Sequence, residues 1–426
     1  MGCLARPRWA APDVVLGRVQ ISGYERGLRP CLASTHRTLA RSRTLEQALS
    51  SGRQIFDSEQ VERARRYHRP VYLARVAGIA LGLVVLGLLS FGGLGDWLFD
   101  LVDGLPWWGE AIAFSVLVTL IGSLVATPIA FWRGYLHERR WGFSTQTLGG
   151  WAWDRTKGVA IGTVLTAIAM LGLIASVHLF PSWWPVVAAL GGAAIVFVVT
   201  FLAPVLLEPV FNKFEPLGDE ALARDLRRLA DEAEVPIRDV LVADASRRTR
   251  KHNAYVSGIG KTRRVVVWDT LLGREEPGEV RLVVAHELGH RRYRHVVVGT
   301  AIGMAGTALF VLALWVLFRW DELLRAIGAD GPGDPRVIPF VLFAGAVGEL
   351  AVRPFALALS RGWERDADRF SLDLTRDPEA YEATHRNLAL SNLGDLDPPK
   401  AAYLFFFSHP SAPERLAAGR EWARPA

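Results

Sequence analysis

The chain has 426 residues, of which 50% are hydrophobic, and it carries 49 Lys and Arg against 43 Asp and Glu. The apolar residues fall in long uncharged blocks, which excludes an ordinary soluble protein and predicts membrane spans. The only two cysteines, Cys3 and Cys31, argue against a disulfide scaffold and a cysteine-ligated metal. The basic excess is typical of cytoplasmic loops in membrane proteins, and no recognition module is present, so we predict no nucleic-acid partner.

The first 55 residues are rich in arginine and show no periodic apolar pattern. They contain no apolar core of the kind that a signal peptide needs. We therefore expect residues 1–55 to form a disordered leader. Translation from a start codon upstream of the natural one is an alternative origin for this segment.

Six apolar blocks follow, each long enough to cross a hydrocarbon core of about 30 Å as a helix. They cover residues 76–94, 111–132, 159–180, 186–207, 296–318 and 337–359. Arginines concentrate before the first block and between the second and third, whereas the first connection carries only acidic charges. The positive-inside rule therefore places the N-terminus and everything after the fourth block in the cytoplasm, except the last hairpin. Because arginine greatly outnumbers lysine, a bias of GC-rich bacterial genomes, we expect the plasma membrane of a bacterium.

Two further segments lack membrane character. Residues 219–233 have the leucine spacing of an amphipathic helix. A small antiparallel β-sheet is predicted from three strand-like runs, at residues 240–243, 253–259 and 264–268. Residues 277–295 predict a helix that continues into the fifth span, and residues 360–426 are expected to be helical.

The run at residues 285–290 reads AHELGH and contains the pattern HExxH. His286 and His290 are four residues apart, so on a helix both imidazoles lie on one face and can bind a single Zn²⁺. Glu287 can then act as general base toward a water that the ion activates. Two solvated histidines on an exposed helix are the alternative, but the apolar run before the motif indicates a half-buried helix.

A catalytic zinc needs a third protein ligand. One family of zinc proteases takes it from a His six residues after the second His, but that position is Val296, and His295 is expected at the membrane interface instead. Glu364 and Asp368 are four apart on one helical face, so Glu364 can be the third ligand and Asp368 can orient a liganding histidine. An exposed, charged start of a helix explains this spacing equally well. The two spans between His290 and Glu364 return both halves of the site to one side of the membrane.

These motifs together resemble the type 1 CAAX prenyl protease family, membrane-integral zinc endopeptidases with bacterial heat-shock membrane protease relatives. The resemblance covers roughly residues 56–420. It rests on residues 138–144 with Thr147, and on 209–217, 253–255, 286–290, 360–370 and 408–415. Eukaryotic members of this family typically have seven spans, whereas we predict six here.

The resemblance implies roles for further residues. His286, His290 and Glu364 would bind one Zn²⁺ per chain. Asn253 and Tyr255 would lie where an extended substrate pairs with the edge of the sheet. His409, together with Arg415, would bind the substrate carbonyl and stabilise the developing oxyanion.

We therefore predict a mostly α-helical, polytopic membrane protein with about six spans. Residues 56–207 would form an N-terminal membrane domain of four spans, and residues 208–426 a zincin-like (gluzincin) catalytic domain that includes the last two. Its function would be hydrolysis of peptide bonds in membrane-associated or membrane proteins at the cytoplasmic face. The alternatives are CAAX-type processing of a lipidated C-terminus, or an inactive metal-containing binding protein. The presence of Glu287 argues against the second alternative, because a structural metal site does not require a general base.

Overall fold

The structure is a computed structural model that describes residues 55–258, 260–273 and 276–424. The expected disordered leader lies outside the described residues, except for its last residue. Within the described residues, six helices are long and apolar enough to cross a membrane. We label the longer helices α1 to α11 in chain order.

The first four spans belong to the N-terminal half of the chain. They are α1 (Ser58–Phe91), α2 (Trp107–Phe131), α3 (Leu148–Leu179) and α4 (Trp184–Leu206). Short helices lie between and after them, at Leu94–Phe99, Glu138–Arg140 and Glu208–Phe211. Pro128 lies inside α2, and a π-helical turn (Trp132–His137) follows it.

The last two spans are α7 (His295–Leu317) and α8 (Ile338–Thr375). Short helical segments at Asp321–Ala326 and Pro335–Val337 connect them. Each of the six predicted spans overlaps one of the six helices along nearly its whole length, which confirms the predicted polytopic helical fold. Helix α8 has 38 residues and is therefore about 57 Å long, whereas about 20 residues cross a bilayer. Its C-terminal half thus projects well beyond the span.

A four-stranded sheet lies in the non-membrane part. Its strands are β1 (Phe214–Pro216), β2 (Asp239–Ala243), β3 (Ala254–Ser257) and β4 (Arg264–Trp268), in the order β1-β2-β4-β3. The expectation of a purely antiparallel sheet was wrong for one pair, because β2 and β4 run parallel. After β2 the chain forms β3 on the outer edge and then β4, which pairs antiparallel with β3 and so repeats the direction of β2.

Two helices cover this sheet, α5 (Glu220–Glu232) and α6 (Pro277–Arg292). Leu226 and Leu229 of α5 pack with Val265 and Val267 of β4 and with Leu288 of α6 in one fully buried core. Each such side chain contributes about 1.5–3 kcal/mol on burial. The helix that carries HExxH is therefore held firmly against the sheet.

The predicted continuous helix over residues 277–295 and the fifth span was also wrong. Helix α6 ends at Arg292, and Arg294 adopts a left-handed conformation with φ 57° before α7 begins at His295. The two helices have different packing partners, since α6 packs on the sheet and α8 whereas α7 packs on α4. A straight continuation of α6 could not reach both sets of packing partners, so the helix is interrupted.

The chain ends in three helices after α8. They are α9 (Pro378–Ser391), α10 (Lys400–Phe406) and α11 (Ala412–Trp422). Ile55 and Phe56, which precede α1, pack into a small apolar cluster with Ala389 of α9 and Leu416 of α11. The start of the membrane part and the end of the chain therefore lie against each other.

Candidate metal centre and active site

Helix α6 approaches α8 closely because of a glycine inside the HExxH motif. A Cβ atom at Gly289 would lie 3.2 Å from the Cα of Ala367 on α8 and 3.1 Å from the Phe370 ring. Both distances are shorter than ordinary packing allows, so a side chain here would push the helices apart. Gly289 thus sets the distance between the two helices that carry the predicted ligands.

Three predicted ligands meet between these helices. The Nε2 atoms of His286 and His290 are 3.1 Å apart. Glu364 places Oε2 3.2 Å from Nε2 of His286 and Oε1 3.3 Å from Nε2 of His290. A tetrahedral ion with ligands at about 2.0–2.1 Å requires ligand atoms about 3.3–3.4 Å apart. The group of His286, His290 and Glu364, which we call the ligand triangle, therefore has the size and donor types that a metal ion needs.

The electrostatics of the group also favour a cation. Oε2 of Glu364 is buried and, apart from its contact with Nε2 of His286, has no polar partner among the described residues. Burial disfavours the charged form of His286, but hydrogen bonds with Asp368 and Glu364 outweigh this effect and raise its pKa to about 9. The carboxylates around the histidines thus favour positive charge here, which a divalent ion would supply.

Glu287 lies beside the triangle and lines an adjoining cavity of about 410 Å³. His290, Arg291, Val256 and Trp363 share the lining of this cavity with it. Burial raises the pKa of Glu287 above that of an ordinary glutamate. A carboxylate with a raised pKa is a stronger base than a solvated one, which suits the predicted role.

Asp368 supports His286 from the side opposite the triangle. Its Oδ1 is 2.9 Å from Nδ1 of His286. Arg415 of α11 binds the same carboxylate through two hydrogen bonds, one of them 2.9 Å long from Nε to Oδ2. Asp368 is only 4% exposed, so the guanidinium provides the positive charge that its burial requires.

His409 reaches the site from the loop after α10. Its Nε2 is 3.3 Å from Oε1 of Glu364, and its side chain is 58% exposed, far more than the ligands. Arg361 on α8 fixes this loop, since it donates to the carbonyls of Tyr403 and Phe407 at 3.3 and 2.6 Å. His409 is therefore held at the open side of the triangle, while Arg415 lies behind His286. Their predicted contacts with a substrate carbonyl stay predictions.

Asn253 and Tyr255 lie at the outer edge of the sheet. Asn253 is exposed and its carbonyl accepts from the N–H of Trp268 on β4. The Tyr255 hydroxyl donates to Glu208 at 3.3 Å, next to an ion pair between Glu208 and Arg264. The structure thus places Tyr255 in a polar cluster at the end of the fourth span, and its substrate contact also stays a prediction.

Two contacts at the site were not predicted from the sequence. Nδ1 of His295 is 3.0 Å from Nδ1 of His290, although we expected His295 at the membrane interface. Arg291 donates to the backbone carbonyl of Val256 and so joins α6 to β3. The position of Arg291, one helical turn after Glu287, was the signal available in the sequence for its place at the site. No comparable signal exists for His295, because its place depends on the helix break at Arg294.

Comparisons with known proteins agree with this geometry. The sequence matches the profile of peptidase family M48 over residues 216–423. It matches that of the CAAX prenyl protease N-terminal region, characterised by five membrane helices, over residues 36–213. Four helices of spanning length lie in the described part of the second range.

Individual relatives point the same way. The uncharacterized metalloprotease YhfN of Bacillus subtilis is 33% identical over 313 residues, 72% of each chain. CAAX prenyl protease 1 of Saccharomyces cerevisiae is 27% identical over 332 residues, again 72% of each chain. The crystal structure of S. mikatae Ste24p shares the fold, with a TM-score of 0.76 and 22% identity over 85% of this chain and 90% of that one. This chain belongs to peptidase family M48 and is an integral membrane metalloendopeptidase.

Proposed function

We propose that this protein is a zinc endopeptidase that cleaves membrane-associated or membrane proteins at the cytoplasmic face of a bacterial plasma membrane. His286, His290 and Glu364 would hold the zinc, which when bound acidifies a water and polarises the scissile carbonyl. The observation that carries the proposal is the meeting of three side chains with Glu287 beside them: the two histidine Nε2 atoms are 3.1 Å apart, and each lies 3.2–3.3 Å from one carboxylate oxygen of Glu364.

Glu287 would move the proton in this reaction. Its carboxylate adjoins the ligands and faces the cavity, so it can accept a proton from the attacking water and deliver it to the leaving amine. The raised pKa helps it to hold the proton between these steps. His409, at the open side of the triangle, would donate to the carbonyl oxygen as negative charge develops there.

The substrate would add a strand to the outer edge of β3, where no further strand pairs among the described residues. The N–H of Trp268 donates to the carbonyl of Asn253, so these two residues form a hydrogen-bonded pair of the antiparallel ladder. Such pairs alternate with pairs that are not hydrogen-bonded. The backbone N–H and C=O groups of Ala254 and Val256 therefore point away from β4. Arg291 donates to the Val256 carbonyl, which leaves both groups of Ala254 for the substrate. Since Val256 also lines the cavity of Glu287, a peptide paired here would pass the metal centre.

Cleavage by purified protein tests the mechanism. Wild type and Glu287→Gln would be purified in detergent, assayed for metal content and incubated with casein. We expect one zinc per chain in both, and a loss of about 10²–10⁴-fold in cleavage for the variant. Glu220→Gln, an exposed change on α5, is the matched control and should cleave at the wild-type rate. Unchanged cleavage by Glu287→Gln would remove this residue from the mechanism.

Processing of a lipidated C-terminus is the second candidate function, because relatives such as the yeast protein carry the name CAAX prenyl protease 1. A prenylated CAAX peptide and its unprenylated counterpart distinguish the two possibilities. Equal cleavage of both peptides favours the general endopeptidase. Strong preference for the prenylated peptide favours lipid-dependent processing.

The proposed orientation has its own test. In a variant without Cys3 and Cys31, single cysteines would be introduced at Asp330, between the last two spans, and at Glu379 on α9. A membrane-impermeant thiol reagent applied to intact cells should label only the first. Labelling of the second alone would place the metal centre on the outer face.

A further inference from the structure

His295 lies against the second predicted ligand because the polypeptide turns between α6 and α7. On one continuous helix, residues 290 and 295 would point about 140° apart, since each residue turns the helix by about 100°. The left-handed conformation of Arg294 interrupts the helix and brings Nδ1 of His295 to 3.0 Å from Nδ1 of His290. His295 is 7% exposed, so this contact is shielded from solvent.

The direction of this hydrogen bond follows from the ligand geometry. His290 directs Nε2 toward His286 and Glu364, so a metal takes that nitrogen and the hydrogen of the ring stays on Nδ1. We infer that His295 accepts this hydrogen on its own Nδ1 and is a positioning residue that orients His290 for the metal. His286 has the equivalent partner in Asp368, so each histidine ligand would have its own acceptor.

The surroundings of His295 hold its ring in this orientation. The ring stacks on Trp363, with centroids 5.2 Å apart and planes 10° from parallel. A Cβ at Gly299, one turn further along α7, would lie 3.4 Å from the Trp363 ring, so the indole packs directly against α7. Trp363 directly precedes the third ligand on α8. His295 therefore connects the second ligand to the helix of the third.

This inference rests on the proposed function, since it requires that His290 binds the metal. The test compares His295→Phe, which keeps a ring for stacking but has no acceptor, with His295→Asn, whose amide oxygen can accept. His178→Phe is the matched control, because His178 stacks on Trp107 in the same way but contacts none of the ligands. Affinity for Zn²⁺ would be measured by competition with a chromophoric chelator, and the absorption spectrum of bound Co²⁺ would report ligand geometry.

We expect His295→Phe to bind Zn²⁺ about 10–100-fold more weakly than wild type, with an altered Co²⁺ spectrum. His178→Phe should match wild type, and His295→Asn should recover most of the affinity. Equal losses in His295→Phe and His295→Asn would show a packing role and overturn the inference, as would wild-type affinity in His295→Phe. His295→Leu replaces the Phe variant if that protein does not fold. Failure of wild type to bind Zn²⁺ would instead refute the proposed function.

Discussion

The pair of Asp368 and Arg415 allows a test of buried charge at this site. Replacing Arg415 with Met keeps the aliphatic stem but removes both hydrogen bonds to a carboxylate that is 4% exposed. Removing one partner of a buried ion pair costs about 3–5 kcal/mol, because the remaining charge stays desolvated. Arg415→Met should therefore be strongly destabilising in the metal-free protein.

Helix α11 contains a matched control. Arg420 makes two similar hydrogen bonds to Glu382, but the two side chains are 49% and 38% exposed. An exposed pair contributes only about 0–1 kcal/mol, because water solvates either charge after the other is removed. Arg420→Met therefore removes the same groups from the same helix at little expected cost.

Thermal unfolding of metal-free protein in detergent, followed by tryptophan fluorescence, measures both effects. For a unit of about 200 residues, 1 kcal/mol shifts the midpoint by about 2 °C or more. Arg415→Met should thus unfold about 6 °C or more below wild type, and Arg420→Met within about 4 °C of it. Asp368→Asn combined with Arg415→Met should recover much of the loss, since no unpaired charge remains. Equal midpoints for the two Met variants would refute the reasoning.

Two further predictions concern the ligand triangle. Glu364→Ala should abolish stoichiometric zinc, measured by metal analysis of the purified protein, because it removes the third ligand. Glu379→Ala, an exposed change on α9, should keep it, and full zinc in Glu364→Ala would point to another ligand. Gly289→Ala should lower both the unfolding midpoint and zinc affinity, because its Cβ meets α8 at about 3.2 Å. Gly278→Ala on the same helix meets no atom within 4 Å, so a loss as large as that of Gly289→Ala would contradict a role of helix spacing.

The sequence alone was sufficient for features that depend on local geometry. Apolar blocks of about 20 residues predicted the six spans, because the thickness of a bilayer fixes the length of a crossing helix. The spacing of His286 and His290 predicted that both imidazoles share one face, because that is a property of any α-helix. Because two spans separate His290 from Glu364, the sequence also predicted that these two residues can meet, and in the structure they do.

Only the tertiary structure decided how the elements meet. The parallel pairing of β2 with β4 depends on a connection that crosses the sheet. The helix break at Arg294 depends on the different packing partners of α6 and α7. Arg415 reaches Asp368 from 47 residues away, and His295 reaches His290 only through the break. Such contacts follow from packing and backbone direction rather than from residue spacing, so no local pattern encodes them.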